Sequence, residues 1–300
     1  MRFGAIDIGS NAMRLLVAEA QEEDNHSILK KITLVRVPVR LGETVFTKGV
    51  ITPIKVKKLS KSISAFKLLM EVYGVEDYRI CATSAMREAS NQIEVLEKVK
   101  QLTGETIDVI DGQLEASLIH STFETLVFDM SKDYLYIDVG GGSTELSLLK
   151  HGKPVKSKSF KIGTVRSLKK KVEDSDWTAM LDFAGELGHK TKGLEAIGTG
   201  GNINKLVKLS PLNNLTGLHY GELAGIVHRL EKLSLKERMR QFELKSDRAD
   251  VIVPAGHIYL DVMKAAGIEE ILVPKIGLSD GIIYDLYKNF KSAKSNQSAT

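Results

Sequence analysis

A single cysteine, Cys81, stands in a chain of 300 residues, which excludes an intramolecular disulfide framework and a thiolate metal cluster. The seven histidines, at 26, 120, 151, 189, 219, 228 and 257, show no short ligand spacing, so a histidine-built zinc site is not expected. No apolar run approaches the length that spans a bilayer. The N-terminus runs straight into Phe3-Gly-Ala-Ile-Asp7, without a basic n-region, an apolar h-region and a cleavage site. A cytoplasmic protein with no membrane partner is the expectation. An excess of charge is also missing: 42 basic residues face 38 acidic ones, a net charge of +4, too balanced for a nucleic-acid binder.

What is present is ordinary globular material. The residues AVILMFWYC make up 43% and charged residues 27% of the chain, which leaves no room for a disordered, collagenous or mucin-like reading. At about 150 residues per domain, the length suggests two domains. One local imbalance stands out. Lys150, Lys153, Lys156, Lys158, Lys161, Arg166, Lys169, Lys170 and Lys171 fall in one stretch without an acid. That stretch reads either as a solvated hairpin and loop or as a surface that attracts a polyanion.

The chain repeats itself. Phe3-Gly-Ala-Ile-Asp7-Ile-Gly-Ser-Asn11 parallels Tyr134-Leu-Tyr-Ile-Asp138-Val-Gly-Gly-Gly-Ser-Thr144: an apolar strand ending in Asp, small residues, then a second strand. A third strand closes with Arg40-Leu-Gly42 in one half and Lys161-Ile-Gly163 in the other. Helical apolar spacing from Ile54 to Tyr73 leads into the strand Arg79–Ser84, and Trp177 to Thr191 leads likewise into Glu195–Gly201. Thr106–Ile110 and Glu270–Val273 read as later strands, each followed by a helix. Both halves therefore read β-β-β-α-β-α-β-α. This is the duplicated α/β plan of the actin, hexokinase and heat-shock-chaperone superfamily (a ribonuclease H-like fold), with two domains around a phosphate-binding cleft. Domain I is expected over 1–112 plus 279–300, and domain II over 113–278. Lys291–Thr300, with almost nothing apolar, reads as a frayed tail.

The turns carry the candidate chemistry. Gly140, Gly141 and Gly142 lack a Cβ, so the backbone is expected to turn with φ > 0 and present successive N–H groups to an anion. Gly9, Ser10 and Asn11 offer the same from the first half. Either turn alone reads as a tight turn; together they favour a phosphate site. Asp7 and Asp138 end their strands, and Glu145 opens the return strand. Hard oxygens there suit Mg²⁺, which keeps waters and bridges to phosphate. For Asp7, the alternative of an acid that merely receives loop N–H bonds stays open. Ser143 is placed to donate its hydroxyl to phosphate.

Four segments in order, Asp7-Ile-Gly-Ser-Asn11, Cys81-Ala-Thr-Ser-Ala-Met-Arg87-Glu-Ala-Ser-Asn91, Asp138-Val-Gly-Gly-Gly-Ser-Thr-Glu-Leu146 and Gly198-Thr-Gly-Gly201, make the match specific. The sequence resembles the exopolyphosphatase/guanosine pentaphosphate phosphohydrolase (Ppx/GppA) family over nearly its whole length, the Arg248–Ile252 stretch included. The resemblance implies Mg²⁺-dependent release of terminal orthophosphate from inorganic polyphosphate or pppGpp. It puts Glu115 on the family's catalytic base and Arg87 on its phosphate-binding arginine, and it counts Gly200 among the phosphate-contacting residues. Without it, Glu115 reads as an acid favoured by a helix N-terminus, and Arg87 as a surface arginine.

The sequence also departs from the family. Ala12 stands where a serine is usual, Leu114 where a second acid often precedes the base, and Gly277-Leu-Ser-Asp-Gly281 where the family has Gly-Leu-Arg-Glu-Gly. Longer members add a C-terminal helical domain, so weak processivity on very long chains is expected here. Cys81 and Trp177 read as core residues, and His257 receives no role. A phosphotransferase of the same superfamily and a non-catalytic guanosine-nucleotide sensor are the alternatives. Self-association into a homodimer is left open.

Overall fold

The computed structural model describes residues 1–23, 26–125, 129, 131–211 and 216–297. In chain order the elements are β1 (Arg2–Ile8), β2 (Met13–Glu23), β3 (His26–Val37), α1 (Gly42–Lys48), α2 (Pro53–Val72), β4 (Asp77–Ala82), α3 (Ser84–Glu88), α4 (Gln92–Thr103), β5 (Asp108–Val109) and α5 (Gly112–Ser121). Then come β6 (Tyr134–Val139), β7 (Thr144–Lys150), β8 (Lys153–Phe160), α6 (Thr164–Leu168), α7 (Asp174–Lys190), β9 (Glu195–Thr199) and α8 (Gly201–Lys208). The chain closes with β10 (Gly217–His219), α9 (Tyr220–Glu231), α10 (Leu235–Gln241), α11 (Ser246–Ala249), α12 (Ile252–Ala266), β11 (Glu270–Leu272) and α13 (Leu278–Gln297). Two compact units result: Met1–Thr122 with Gly277–Thr300, and Phe123–Ile276.

Each unit is built on one sheet, and the two sheets share an order. The first runs β3-β2-β1-β4-β5; the second runs β8-β7-β6-β9-β11, with β10 added beyond β11. In both, an antiparallel trio is followed by parallel strands on the far side of the first strand. The central strands are the apolar ones, as strands covered on both faces must be: every residue of β1 after Arg2 is buried, and so is all of β6 except Asp138. The duplicated α/β plan is therefore present. Its second copy is enlarged, because α8, β10 and α9–α12 all lie between β9 and β11. A core of Leu135, Ile137, Leu146, Met180, Ile203, Ile258 and Met263 joins the second sheet to α7, α8 and α12.

Local chemistry sets the element ends. α2 begins with Pro53 at its first turn after an extended Thr52, where the missing N–H costs nothing. The strand expected over 106–110 shrinks to Asp108–Val109, since Arg87 and the cap of α5 engage the residues just beyond it. The tail expected from Lys291 is helical through Gln297, and residues 298–300 lie outside the described residues. Among the described residues no helix is long and apolar enough to cross a membrane.

The unit boundary falls after Thr122 rather than at 112/113, because α5 packs on α13. The contact is backbone-close: a Cβ at Gly281 would lie 2.3 Å from the carbonyl oxygen of Leu118. Phe3 of β1 meets Tyr287 and Phe290 of α13 edge-on, with ring centroids 6.2 Å apart in each pair. Asp280 is put to structural use. One of its oxygens accepts from the Gly277 N–H at 3.0 Å, and the other pairs with Lys31 at 2.5 Å. Cys81 is fully buried and burial pushes its thiol up to about 12, as suits a small core residue. Trp177 packs against the second unit's core, and His257 meets Glu231 at 2.5 Å.

His120, also on α5, is buried, and that burial pushes its imidazole down to about 4. Between that value and the unfolded value of 6.5, the unfolded chain binds the extra proton. Stability therefore falls as pH drops through this window, by up to about 3 kcal/mol for this one group. Denaturant midpoints measured from pH 7 to pH 4.5 should decline less steeply in His120→Gln than in the parent chain. Parallel declines would remove His120 from the acid sensitivity.

Candidate functional site

The two Asp-Gly turns are built alike. In the first, the Gly9 N–H donates to the Ala12 carbonyl at 3.1 Å; in the second, the Gly140 N–H donates to the Ser143 carbonyl at 2.9 Å. The segment leaving each third strand then folds over the turn and takes its carbonyls. Arg40 and Gly42 N–H groups bond the oxygens of Asn11 and Ser10, both at 2.8 Å. In the second unit, Thr164 N–H bonds Gly140 O at 3.0 Å and Val165 N–H bonds Gly141 O at 2.8 Å. Arg166 adds its Nε to Gly142 O at 2.8 Å.

These captured carbonyls fix where the amides point. In a planar trans peptide the C=O and the following N–H are directed oppositely. Pulling the oxygens of Gly140, Gly141 and Gly142 toward Thr164–Arg166 therefore turns the N–H groups of Gly141, Gly142 and Ser143 to the other side. The same logic turns those of Asn11 and Ala12. Each turn presents consecutive donors, an anion-binding arrangement.

The conformational reason given from sequence needs correction. Gly9, Gly140, Gly141 and Gly142 are absent from the positive-φ residues. The steric demand for glycine comes from the covering segment instead: a Cβ at Gly163 would lie 2.4 Å from the Gly142 nitrogen. Gly200 is the position that does need φ > 0, at 98°, and a Cβ there would stand 3.0 Å from Asp138 Oδ1. It leads into α8 beside the second turn.

The acids differ between the copies. Asp7 pairs across the sheet with Arg14, and Asp138 pairs at the same place with Glu145. Asp7 is buried and ion-paired to Arg14 at 2.7 Å, so its charge is already met. Asp138 and Glu145 put two carboxylates directly opposite each other, which is unfavourable unless a cation or proton intervenes. The Ser159 hydroxyl donates to Glu145 at 3.0 Å. Below Asp138, the Tyr136 hydroxyl bonds Thr199 Oγ1 at 2.8 Å and the Tyr259 hydroxyl donates to the Thr199 carbonyl at 2.5 Å. Both phenols are raised well above their ordinary value, first by burial and then by the Asp138 charge.

Arg87 and Glu115 belong to the first unit with Asp7, Gly9, Ser10 and Asn11; Asp138, Gly140–Ser143, Glu145 and Gly200 belong to the second. Ser10 Oγ meets Ser84 Oγ at 2.8 Å, which sets the start of α3 against the first turn. Arg87 on α3 donates to Ile110 O at 2.6 Å, so it is anchored just ahead of α5. Asp111 caps α5 by accepting from Leu114 N–H at 2.8 Å, and half-buried Glu115 sits in the first turn behind that cap.

Two contributors were missed from sequence. Arg166 stands in the basic stretch that reads as either a solvated loop or a polyanion surface, yet it is buried against the Gly-rich turn. Its signal was the Lys161-Ile-Gly163 parallel to Arg40-Leu-Gly42, which marks a segment returning to the turn. Arg248 was only part of a matching stretch; its guanidinium donates to Asn202 Oδ1 at 2.6 Å, bracing the start of α8.

Comparison with known proteins gives the family and the fold. A family model described as the Ppx/GppA phosphatase family matches residues 17–290. Exopolyphosphatase 2 of Mycobacterium tuberculosis is 26% identical over 95% of this chain and 98% of its own length. The bifunctional 3-dehydroquinate synthase/phosphatase of Fusobacterium nucleatum is 31% identical over 55% of this chain, which spans only 26% of that longer protein. The crystal structure of the Aquifex aeolicus Ppx/GppA family member superposes with a TM-score of 0.74 at 26% identity, covering 96% of this chain and 98% of that one.

If the covering segment sets the turn, Gly163→Ala should displace it. We expect a loss of about 1–3 kcal/mol from overpacking, together with weaker binding of inorganic phosphate in calorimetric titration. Gly225→Ala is the control, because a Cβ there meets nothing within 4 Å; it should leave both quantities intact or gain slightly in stability. Equal behaviour of the two variants would show that the turn does not depend on this contact.

Proposed function

We propose that this chain, which belongs to the Ppx/GppA phosphatase family, hydrolyses phosphoanhydrides and releases terminal orthophosphate from inorganic polyphosphate or pppGpp. The observation that carries the reading is the repeated turn whose carbonyls are captured and whose amides face outward. Such donors suit phosphoryl oxygens and cost no reorganisation during reaction. Arg87 brings a planar guanidinium able to hold two oxygens of one phosphoryl group.

In the proposed step, water attacks the terminal phosphorus while the bridging P–O bond breaks and the shortened chain leaves with the bond's electrons. Glu115 orients the water and accepts its proton. Ser143 donates its hydroxyl to a phosphate oxygen. The opposed carboxylates of Asp138 and Glu145 fit Mg²⁺, which takes one or two protein carboxylates and fills its shell with water and phosphate oxygens. A site of that kind needs no larger cluster, and no group of three or more His, Cys, Asp or Glu suited to a metal occurs among the described residues. When bound, the ion would neutralise charge on the phosphoryl oxygens. Asp7, neutralised by Arg14, is assigned a bracing role instead of a ligand role.

Phosphate release from long polyphosphate, tripolyphosphate, pppGpp and ATP, assayed side by side with Mg²⁺, tests the reading. Transfer to an acceptor without free phosphate would make the chain a phosphotransferase, and tight binding without turnover would make it a sensor. Within the reading, Glu115→Gln should lower kcat by about 10²–10⁴-fold with substrate binding nearly intact. Near-normal turnover would remove Glu115 from the chemistry. Glu145→Gln should raise the Mg²⁺ concentration for half-maximal rate, whereas Asp7→Asn should leave that concentration unchanged. The opposite ranking would reverse the assignment of the two acids.

A further inference from the structure

The second sheet sets its candidate residues in rows. Asp138 pairs with Glu145 on β7 and with Thr199 on β9, so one row on one face reads Glu145, Asp138, Thr199. Two residues away along each strand, the next row on that face reads Ser147, Tyr136, Ile197. Tyr136 is fully buried there, with Phe123 edge-on to its ring at 5.7 Å. Its hydroxyl reaches up one row and bonds Thr199 Oγ1 at 2.8 Å.

The opposite face holds Leu135, Ile137 and Val139, in the core that α12 completes with Ile258, Tyr259 and Met263. Tyr259 therefore approaches the sheet from that side, and its hydroxyl donates to the Thr199 carbonyl at 2.5 Å. Thr199 is thus gripped from both faces, by its side chain on one and by its carbonyl on the other. The next residue is Gly200, whose positive φ and bare Cα let the chain pass close to Asp138. A Cβ at Gly200 would lie 3.0 Å from Asp138 Oδ1, 3.4 Å from the Val139 carbonyl oxygen and 3.9 Å from the Tyr259 hydroxyl. Thr199 and Gly200 form the wall beside which the Asp138 carboxylate rests.

Packing alone does not call for these hydroxyls. Both tyrosines are fully buried, and phenylalanine would bury the same ring without a polar atom to satisfy. Burial first, and then the Asp138 charge, raises both phenols, so both stay neutral beside that acid.

We propose that Tyr136 and Tyr259 are positioning residues that lock Thr199–Gly200 against Asp138 and so preset its carboxylate, beside Glu145, for a divalent cation. The inference rests on the metal role proposed above for Asp138 and Glu145, and it names what holds the first of these acids in place. Being buried, neither tyrosine reaches substrate; each acts through Thr199 and Asp138. A carboxylate ordered before the cation arrives loses less freedom on binding, and the partners that orient ligating groups commonly control affinity.

The test uses the full-length chain with Tyr136→Phe and Tyr259→Phe made singly, which keep each ring and remove its hydroxyl. Mn²⁺ is the probe, a cation suited to the same carboxylate and water ligands, and loss of its free-ion electron paramagnetic resonance signal counts the bound fraction. Asp138→Asn should remove most of that binding, which ties the signal to this site. The Kd for Mn²⁺ should rise by about tenfold in each tyrosine variant, and the Mg²⁺ concentration for half-maximal phosphate release should rise with it. KM for tripolyphosphate at saturating Mg²⁺ should hold. Tyr134→Phe is the control: it lies on the same strand and face, but its hydroxyl serves the Asp129 carbonyl at 3.3 Å, so it should leave the Kd in place. An unchanged Kd in both variants, with only their denaturant midpoints lowered, would overturn the proposal and leave the hydroxyls structural. So would an equal shift in Tyr134→Phe, Mn²⁺ binding that survives Asp138→Asn, or a parent chain that takes up no Mn²⁺. A parent chain that binds Mn²⁺ but releases no phosphate would refute the hydrolase reading, and the cation comparison would still decide the role of the tyrosines.

Discussion

The peptide plane is the constraint on which the candidate site depends. A glycine-rich turn is not by itself a phosphate binder; it has many conformations, and most scatter its N–H groups. Here the exit of the third strand, 163–166, takes the carbonyls of three successive glycines, and planarity then orients the amides behind them. The same bonds recur between Arg40, Gly42 and the first turn. Sheet order matters because the third strand must lie on the edge of the trio, so that its exit can fold back over the turn joining the other two. Preorganised donors follow from topology in both units, with little help from the conformational freedom of glycine.

Repetition of the backbone makes the difference in side chains informative. At equivalent positions across each hairpin, one copy carries Asp7 with Arg14 and the other Asp138 with Glu145. The first pair is self-neutralising and stiffens its turn. The second places two carboxylates opposite each other across the strand pair, the arrangement that the proposed function uses to hold Mg²⁺. That difference underlies the proposal's choice of the second copy for the metal and a bracing role for Asp7 in the first.

Much of this was legible in the sequence, where short-range chemistry dominates. The two Asp-Gly turns, the helices α2 and α7 and the pairing of Arg40-Leu-Gly42 with Lys161-Ile-Gly163 all follow from local pattern, since apolar periodicity and small residues act within a few positions. Other features depend on contacts that sequence does not display. The inward course of Arg166 is set by the Gly142 carbonyl, a residue far from it in sequence. The bulge at Val155 is a property of two strands in register. The structural use of Asp280 was not legible in the Gly277-Leu-Ser-Asp-Gly281 segment, because its partner Lys31 lies on β3, near the other end of the chain. The expectation of positive φ at Gly140–Gly142 failed, and the glycine that the close approach of the two backbones does demand is Gly163, whose partner Gly142 is absent from any local reading.

In the first unit, α13 fixes the helix that carries Glu115. α5 carries Glu115 and is short, so its own hydrogen bonds give it little independent stability. Its position is fixed from both sides. Asp111 caps its start, just beyond the carbonyl that Arg87 holds. One turn after Glu115, the backbone at Leu118 meets Gly281 so closely that no side chain fits between them. α13 is itself held by Asp280 with Lys31 and by the rings of Tyr287 and Phe290 on Phe3. Phe3 lies on β1, the strand that carries Asp7 and leads into the first turn. The acid on α5 and the amides of that turn are therefore referred to one rigid strand through the C-terminal helix, although the residues involved span nearly the whole length of the chain.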